Sequence, residues 1–228
     1  AELGDKEFFT PEEAAAWAKR GQDRLANQPA DAVHYDDAIW MRQKQAKGVT
    51  TLRTSITRDP PTGRMPPMNA EGQRRAAQRA EARKQVGQFD SAQSRGLSER
   101  CIYWAHEGPP LLPTGYNSNL QIVQSPREVV VVPEMMPVAR IIPTDGRPRV
   151  SKGIQYLRGD ARGRWEGDTL VVETTNFTDK VLYRGAAEKL HLVERFTRVG
   201  PDEIDYRVTI TDPTTFSRPW TIAVPFVV

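Results

Sequence analysis

The chain has 228 residues, 38% of them hydrophobic and 27% charged, and 32 basic against 29 acidic side chains leave a net charge of +3. That composition supplies a hydrophobic core and excludes a disordered chain, and no run approaches the roughly 18 apolar residues that a membrane-spanning helix needs. A single cysteine excludes an internal disulfide framework and a cysteine zinc site, and +3 without a basic stripe among aromatics is too weak a field to expect nucleic acid, despite an isoelectric point near 9.1.

The opening at Ala1, without methionine, a basic n-region or an apolar h-region, is expected of an exported chain whose signal peptide has been removed, or of a shortened one. Thr10 precedes Pro11-Glu12-Glu13, which places proline at the first helical position, acids at the positive helix end and Glu13 where it closes a capping box. A helix is therefore predicted from Pro11 to about Ala26, with Ala14, Trp17, Ala18 and Leu25 as an apolar stripe that docks on one end of a core. Residues 49–57 have strand composition between Gly48 and the turn Asp59-Pro-Pro-Thr-Gly63. Residues 69–86 read as a second helix, polar enough to lie on the surface or against a partner.

After Gly96 the composition changes. Gly108-Pro-Pro-Leu-Leu-Pro113 must be extended, and seven short β-type runs follow at 120–124, 128–132, 138–142, 169–177, 190–199, 204–211 and 220–227. Between them Arg162-Gly-Arg-Trp-Glu-Gly-Asp168 reads as a tight turn in which Arg164 stacks on Trp165. Strands with turns at this spacing predict a mainly β fold, an antiparallel barrel or sandwich, lipocalin-like if closed. The chain accordingly divides into a helical and extended Pro-rich arm, 1–96, and an antiparallel β domain, 97–228.

One strand breaks the alternation of the others. Leu190, Leu192, Glu194 and Phe196 share a face, with His191, Val193 and Arg195 opposite. An acid among apolar neighbours is costly to bury unless paired. Glu194 is therefore either the base of a lined cavity, with Arg140 or Tyr116 as partners, or half of an ion pair with an arginine across the fold. His191 lies three positions from Glu194, so the two face opposite sides and form no dyad. Tyr116, Asn117, Asn119 and Asn176 offer a phenol and amides to the hydroxyls of a polar ligand, with Arg140 and Arg195 as further contacts; the same residue types also form turns. No metal or cofactor is expected, since His34, His106 and His191 lack ligand spacing and 159–167 is not a phosphate loop.

Several strings are familiar. Gly159-Asp-Ala-Arg-Gly-Arg-Trp-Glu-Gly-Asp-Thr-Leu-Val-Val-Glu-Thr-Thr-Asn-Phe-Thr178, Leu190-His-Leu-Val-Glu-Arg-Phe-Thr-Arg198 and Asp212-Pro-Thr-Thr215 resemble a large family of exported bacterial proteins with no established activity. Leu97-Ser-Glu-Arg-Cys101 and Tyr116-Asn-Ser-Asn-Leu-Gln-Ile-Val-Gln124 share the resemblance, which covers about 97–226. It implies a periplasmic location and brings no chemistry to particular residues. Similar chains continue with a segment carrying a cysteine and a histidine, where the resemblance would put any disulfide partner of Cys101. Two functions are expected on these grounds. The first is an exported, non-catalytic binding or accessory module with a protein partner at the membrane periphery. The second is a periplasmic lyase, isomerase or hydrolase working by acid/base chemistry on a small molecule inside the barrel.

Overall fold

Period-two alternation builds the larger of two sheets. In the computed structural model, which describes residues 6–26, 51–87, 89–104, 107–113, 119–135, 138–180 and 183–227, six strands pair antiparallel: β1 (Thr57–Asp59), β5 (Asp160–Glu166), β6 (Thr169–Thr175), β7 (His191–Arg198), β8 (Glu203–Thr211) and β9 (Trp220–Val227). Their order is β1-β9-β8-β7-β6-β5. A separate antiparallel meander contains β2 (Leu120–Gln124), β3 (Glu128–Pro133) and β4 (Arg140–Pro143). The fold is thus mainly β and sandwich-like, as the turn spacing predicts. Neither sheet closes on itself, so the barrel form of that expectation is replaced by two open sheets.

The register puts one face of each strand into a shared core. Leu192 lies opposite Ile210, Glu194 opposite Val208 and Phe196 opposite Tyr206, while Ile210 and Val208 meet Trp220 and Ile222 on the other side. Val129, Val131 and Ile142 of the small sheet join this cluster. Each such side chain contributes roughly 1.5–3 kcal/mol by leaving water. The sheets meet at Gly163, where an added Cβ would lie 2.9 Å from Ile142 Cγ2, so only glycine admits this approach.

The segment 162–168 is not a turn throughout. It is mostly strand β5, and only Gly167-Asp168 form the loop between Glu166 and Thr169. Its outward residues Arg162, Arg164 and Glu166 are charged and its inward Ala161 and Gly163 are small, which hides the strand pattern and also guards a free sheet edge. Arg164 does not stack on Trp165; its guanidinium bonds Glu166 (2.9 Å) and Glu173 (2.8 Å).

Helix α1 (Pro11–Ala26) starts as expected. Thr10 N donates to Glu13 Oε2 at 2.8 Å and Glu13 N to Thr10 Oγ1 at 3.3 Å, the reciprocal capping box. Its described side chains do not cover the core: across residues 11–20 only Ala14 is even half-buried, and Trp17 packs on Phe9 at 5.7 Å with Arg20 over its ring; the Leu25 side chain lies outside the described set. In the arm that follows, residues 51–56 are largely irregular and Arg53 bridges back to Phe8. The strand expected at 49–57 is displaced to β1, which Pro60 ends by removing a donor; residues 49 and 50 lie outside the described set.

Helix α2 (Ala70–Lys84) is mostly exposed, as its polarity requires, and is fastened at its first turn. Asn69 Oδ1 accepts from Gly72 N at 2.9 Å while its Nδ2 donates to the Pro213 carbonyl at 2.8 Å. Gly72 rests so close to the Thr215 carbonyl that an added Cβ would lie 2.6 Å from it. Replacing Asn69 by alanine is expected to cost about 1 kcal/mol for the lost cap, read by chemical denaturation. An unchanged midpoint would show that the cap is not what fastens α2.

Candidate functional site

The acid that breaks the pattern of β7 is the centre of a buried polar network. Glu194 faces the core from β7, Arg140 from β4, Thr174 from β6 and Tyr206 from β8. Arg140 Nη1 donates to Glu194 Oε1 at 2.9 Å, and Nη2 donates to Oε2 and, at 2.8 Å, to Thr174 Oγ1. The Tyr206 hydroxyl donates to Glu194 Oε1 at 2.9 Å and accepts from Leu111 N at 3.1 Å. The side chains of Arg140 and Glu194 are 5% and 0% exposed, so this fork-to-fork pair is cut off from solvent. It joins the small sheet, three strands of the large sheet and the 107–113 segment.

Electrostatics keeps each partner in the form the bonding requires. Burial opposes the Arg140 charge, but the Glu194 carboxylate and its hydrogen bonds outweigh that, holding the guanidinium above its ordinary value. Burial, and then the Glu194 charge, push the Tyr206 phenol well above its ordinary range, so it remains a donor. Tyr103, buried nearby, is pushed up to about 12 by burial. A second pair, with its acid buried, flanks it: the half-buried Arg158 stands 3.6 Å from Glu107 and has its guanidinium 5.3 Å from the Tyr103 ring centre. Burial raises the Glu107 carboxyl above its usual range, with the Arg158 charge opposing.

Of the residues singled out from sequence, Glu194 and Arg140 come together. Tyr116, named as another partner, lies outside the described residues with Asn117, and the phenol on Glu194 is that of Tyr206. His191 and Arg195 are on the opposite face of β7, as alternation requires; Arg195 Nη2 donates to Glu166 Oε2 at 2.5 Å. Asn119 and Asn176 do not share a site. Asn119 Nδ2 donates to Glu134 at 2.8 Å at the end of the small sheet. Asn176 takes a positive φ of 57° and braces the neighbouring loop by donating to the Ser151 and Ile154 carbonyls, each at 3.1 Å. These are turn-forming roles. Among the described residues no three of His, Cys, Asp and Glu gather as a metal-binding group; His34 and His106 lie outside that set.

Sequence reasoning missed Thr174, Tyr206, Glu107 and Arg158. Tyr206 reads as one more apolar member of its strand, and the other pairings cross long stretches of chain. The arrangement is a closed ion-pair clamp, with both Glu194 oxygens occupied and its side chain sealed from solvent. Comparisons with protein-family models, curated proteins and solved structures found no match to this chain. No helix among the described residues is long and apolar enough to cross a membrane.

Proposed function

We propose that this chain is an exported, non-catalytic binding or accessory module, a periplasmic subunit of a larger assembly at the membrane periphery. The observation that supports it is the state of Glu194. A general base must come within about 2.6–3.2 Å of the proton it removes, and the acid that breaks the alternation of β7 is fully buried and spent on Arg140 and Tyr206. The enzyme reading needs a lumen in which Glu194 meets a ligand, and here Glu194 and Arg140 pair with each other across the sandwich instead. Export and the periplasmic location rest on the resemblance of the 159–178 and 190–198 strings to exported bacterial proteins.

Two measurements test the reading. Wild-type protein and Glu194→Gln are incubated with the small-molecule extract of the source cells and followed by mass spectrometry. No compound is expected to be consumed, and the variant is expected to melt earlier. A compound consumed by wild type and spared by the variant overturns the non-catalytic reading. Native mass spectrometry of the chain isolated in mild detergent is expected to find a stoichiometric protein partner; a lone chain removes the subunit role.

A further inference from the structure

At the turn end of the sandwich, three connections meet. The β5–β6 hairpin brings Trp165 and Gly167-Asp168, the β7–β8 connection brings Arg198 and 199–201, and β2 ends there in Gln124. They line an open cleft of about 800 Å3, within the size range of small-molecule sites. Trp165 belongs to the inward face of β5, opposite Leu170. The core has run out at this level, so its ring is 48% exposed along the wall of the cleft. No second ring or cation lies over it among the described residues.

The polar groups around this indole keep free bonding capacity. Asp168 and the Gln124 side chain have no hydrogen bond or ion pair with the described residues. Arg198 is held by its own turn, donating from Nε to the Gly200 carbonyl at 3.1 Å and from Nη2 to the Pro201 carbonyl at 2.8 Å, which leaves Nη1 for a ligand. Asp168 only accepts, Arg198 only donates and Gln124 does both, so the group that satisfies all three is a hydroxyl, itself donor and acceptor. One acid and one base also leave the cleft without a net charge to select an ion. The charges nearest along β5 and β7 are already matched, Arg164 and Arg195 both bonding Glu166. A flat aromatic ligand favours a slot closed on both sides. A single ring facing open solvent suits a body with one apolar C–H face and a polyhydroxylated rim.

From this we propose that the cleft binds a neutral saccharide, stacked on Trp165 and hydrogen-bonded by Asp168, Arg198 and Gln124. The site uses none of the residues of the Arg140–Glu194 clamp and needs no protein partner, so it stands or falls separately from the subunit reading. The intact chain is titrated calorimetrically with cellohexaose, xylohexaose, mannohexaose, laminarihexaose and chitohexaose. Binding of at least one is expected. Trp165→Ala should weaken it at least about tenfold, Asp168→Asn and Arg198→Gln several-fold, and Trp165→Phe should retain most of it. Because these side chains lie at the surface, the variants should keep the wild-type melting temperature. No heat of binding with any of the five at millimolar concentration overturns the proposal, as does binding that Trp165→Ala leaves unchanged.

Discussion

Glu194→Ala is expected to lower the free energy of unfolding by about 3–5 kcal/mol, seen as a fall in the urea midpoint at constant slope. The loss comes less from the missing attraction than from what remains. Arg140 keeps its charge in a dry interior with Nη1 stripped of its acceptor and Nη2 left with Thr174 alone, and the Tyr206 hydroxyl loses the oxygen to which it donates. The cost should be largely undone when the arginine goes too. A double replacement, Arg140→Met with Glu194→Leu, fills the same space with apolar groups and is expected to recover most of the stability, since buried ion pairs seldom outperform apolar substitutes. If alanine at 194 costs less than about 1 kcal/mol, the pair is not what fastens the two sheets; if the double replacement is no better than the single one, the stranded charge is not the cause.

Asp212→Ala is expected to cost about 3 kcal/mol, because hydrogen bonds to a charged acceptor are among the stronger ones. Asp212 is buried directly after β8. Its Oδ1 accepts from Thr214 N at 2.9 Å and Thr214 Oγ1 at 2.7 Å, and its Oδ2 from Thr215 Oγ1 at 2.9 Å. The same two hydroxyls accept from Arg75 of α2, at 2.9 and 2.6 Å. Two threonines therefore relay a carboxylate to a guanidinium that it does not touch, with each hydroxyl proton pointed at the acid. Without Asp212 the hydroxyls are free to turn, and α2 loses its second anchor. Hydrogen exchange should show α2 deprotected in Asp212→Ala and much less so in Asp212→Asn, whose amide oxygen still accepts. Unchanged exchange in α2 with alanine at 212 would sink the relay.

The sequence exposed this architecture unevenly, for physical reasons. Strands β8 and β9 were legible because each buries one face against the core and leaves the other outside, so the two-residue period is written in hydrophobicity. Glu194 stood out for the same reason: it violates that period, and the cost of burying an acid demands a partner such as Arg140. Tyr206 gave no such signal, since its ring satisfies the apolar pattern while its hydroxyl does the bonding. Strand β5 was obscured because two of its inward positions, Ala161 and Gly163, are small for the close approach of Ile142, and the third, Trp165, lies at the end where the core has run out. Helix α1 announced its start through local capping chemistry, yet whether an apolar stripe is covered depends on distant partners, and for Trp17 it is not. Glu107 and Arg158 meet only through the packing of long-separated segments, which no local pattern records.

The edge of the large sheet is completed from far away in the chain. Thr57 pairs with Ile222 and Asp59 with Thr221, and the neighbouring arm is tied to 213–217 through Met68 and Asn69. During synthesis these early residues have nothing to bind until β9 emerges from the ribosome. Local hairpins among β5–β8 can form as they appear, but the closing pairing carries the largest loop-ordering cost and must come last. Order of manufacture thus delays closure: however early the hairpins form, the edge at β1 stays unpaired until almost the whole chain has been made.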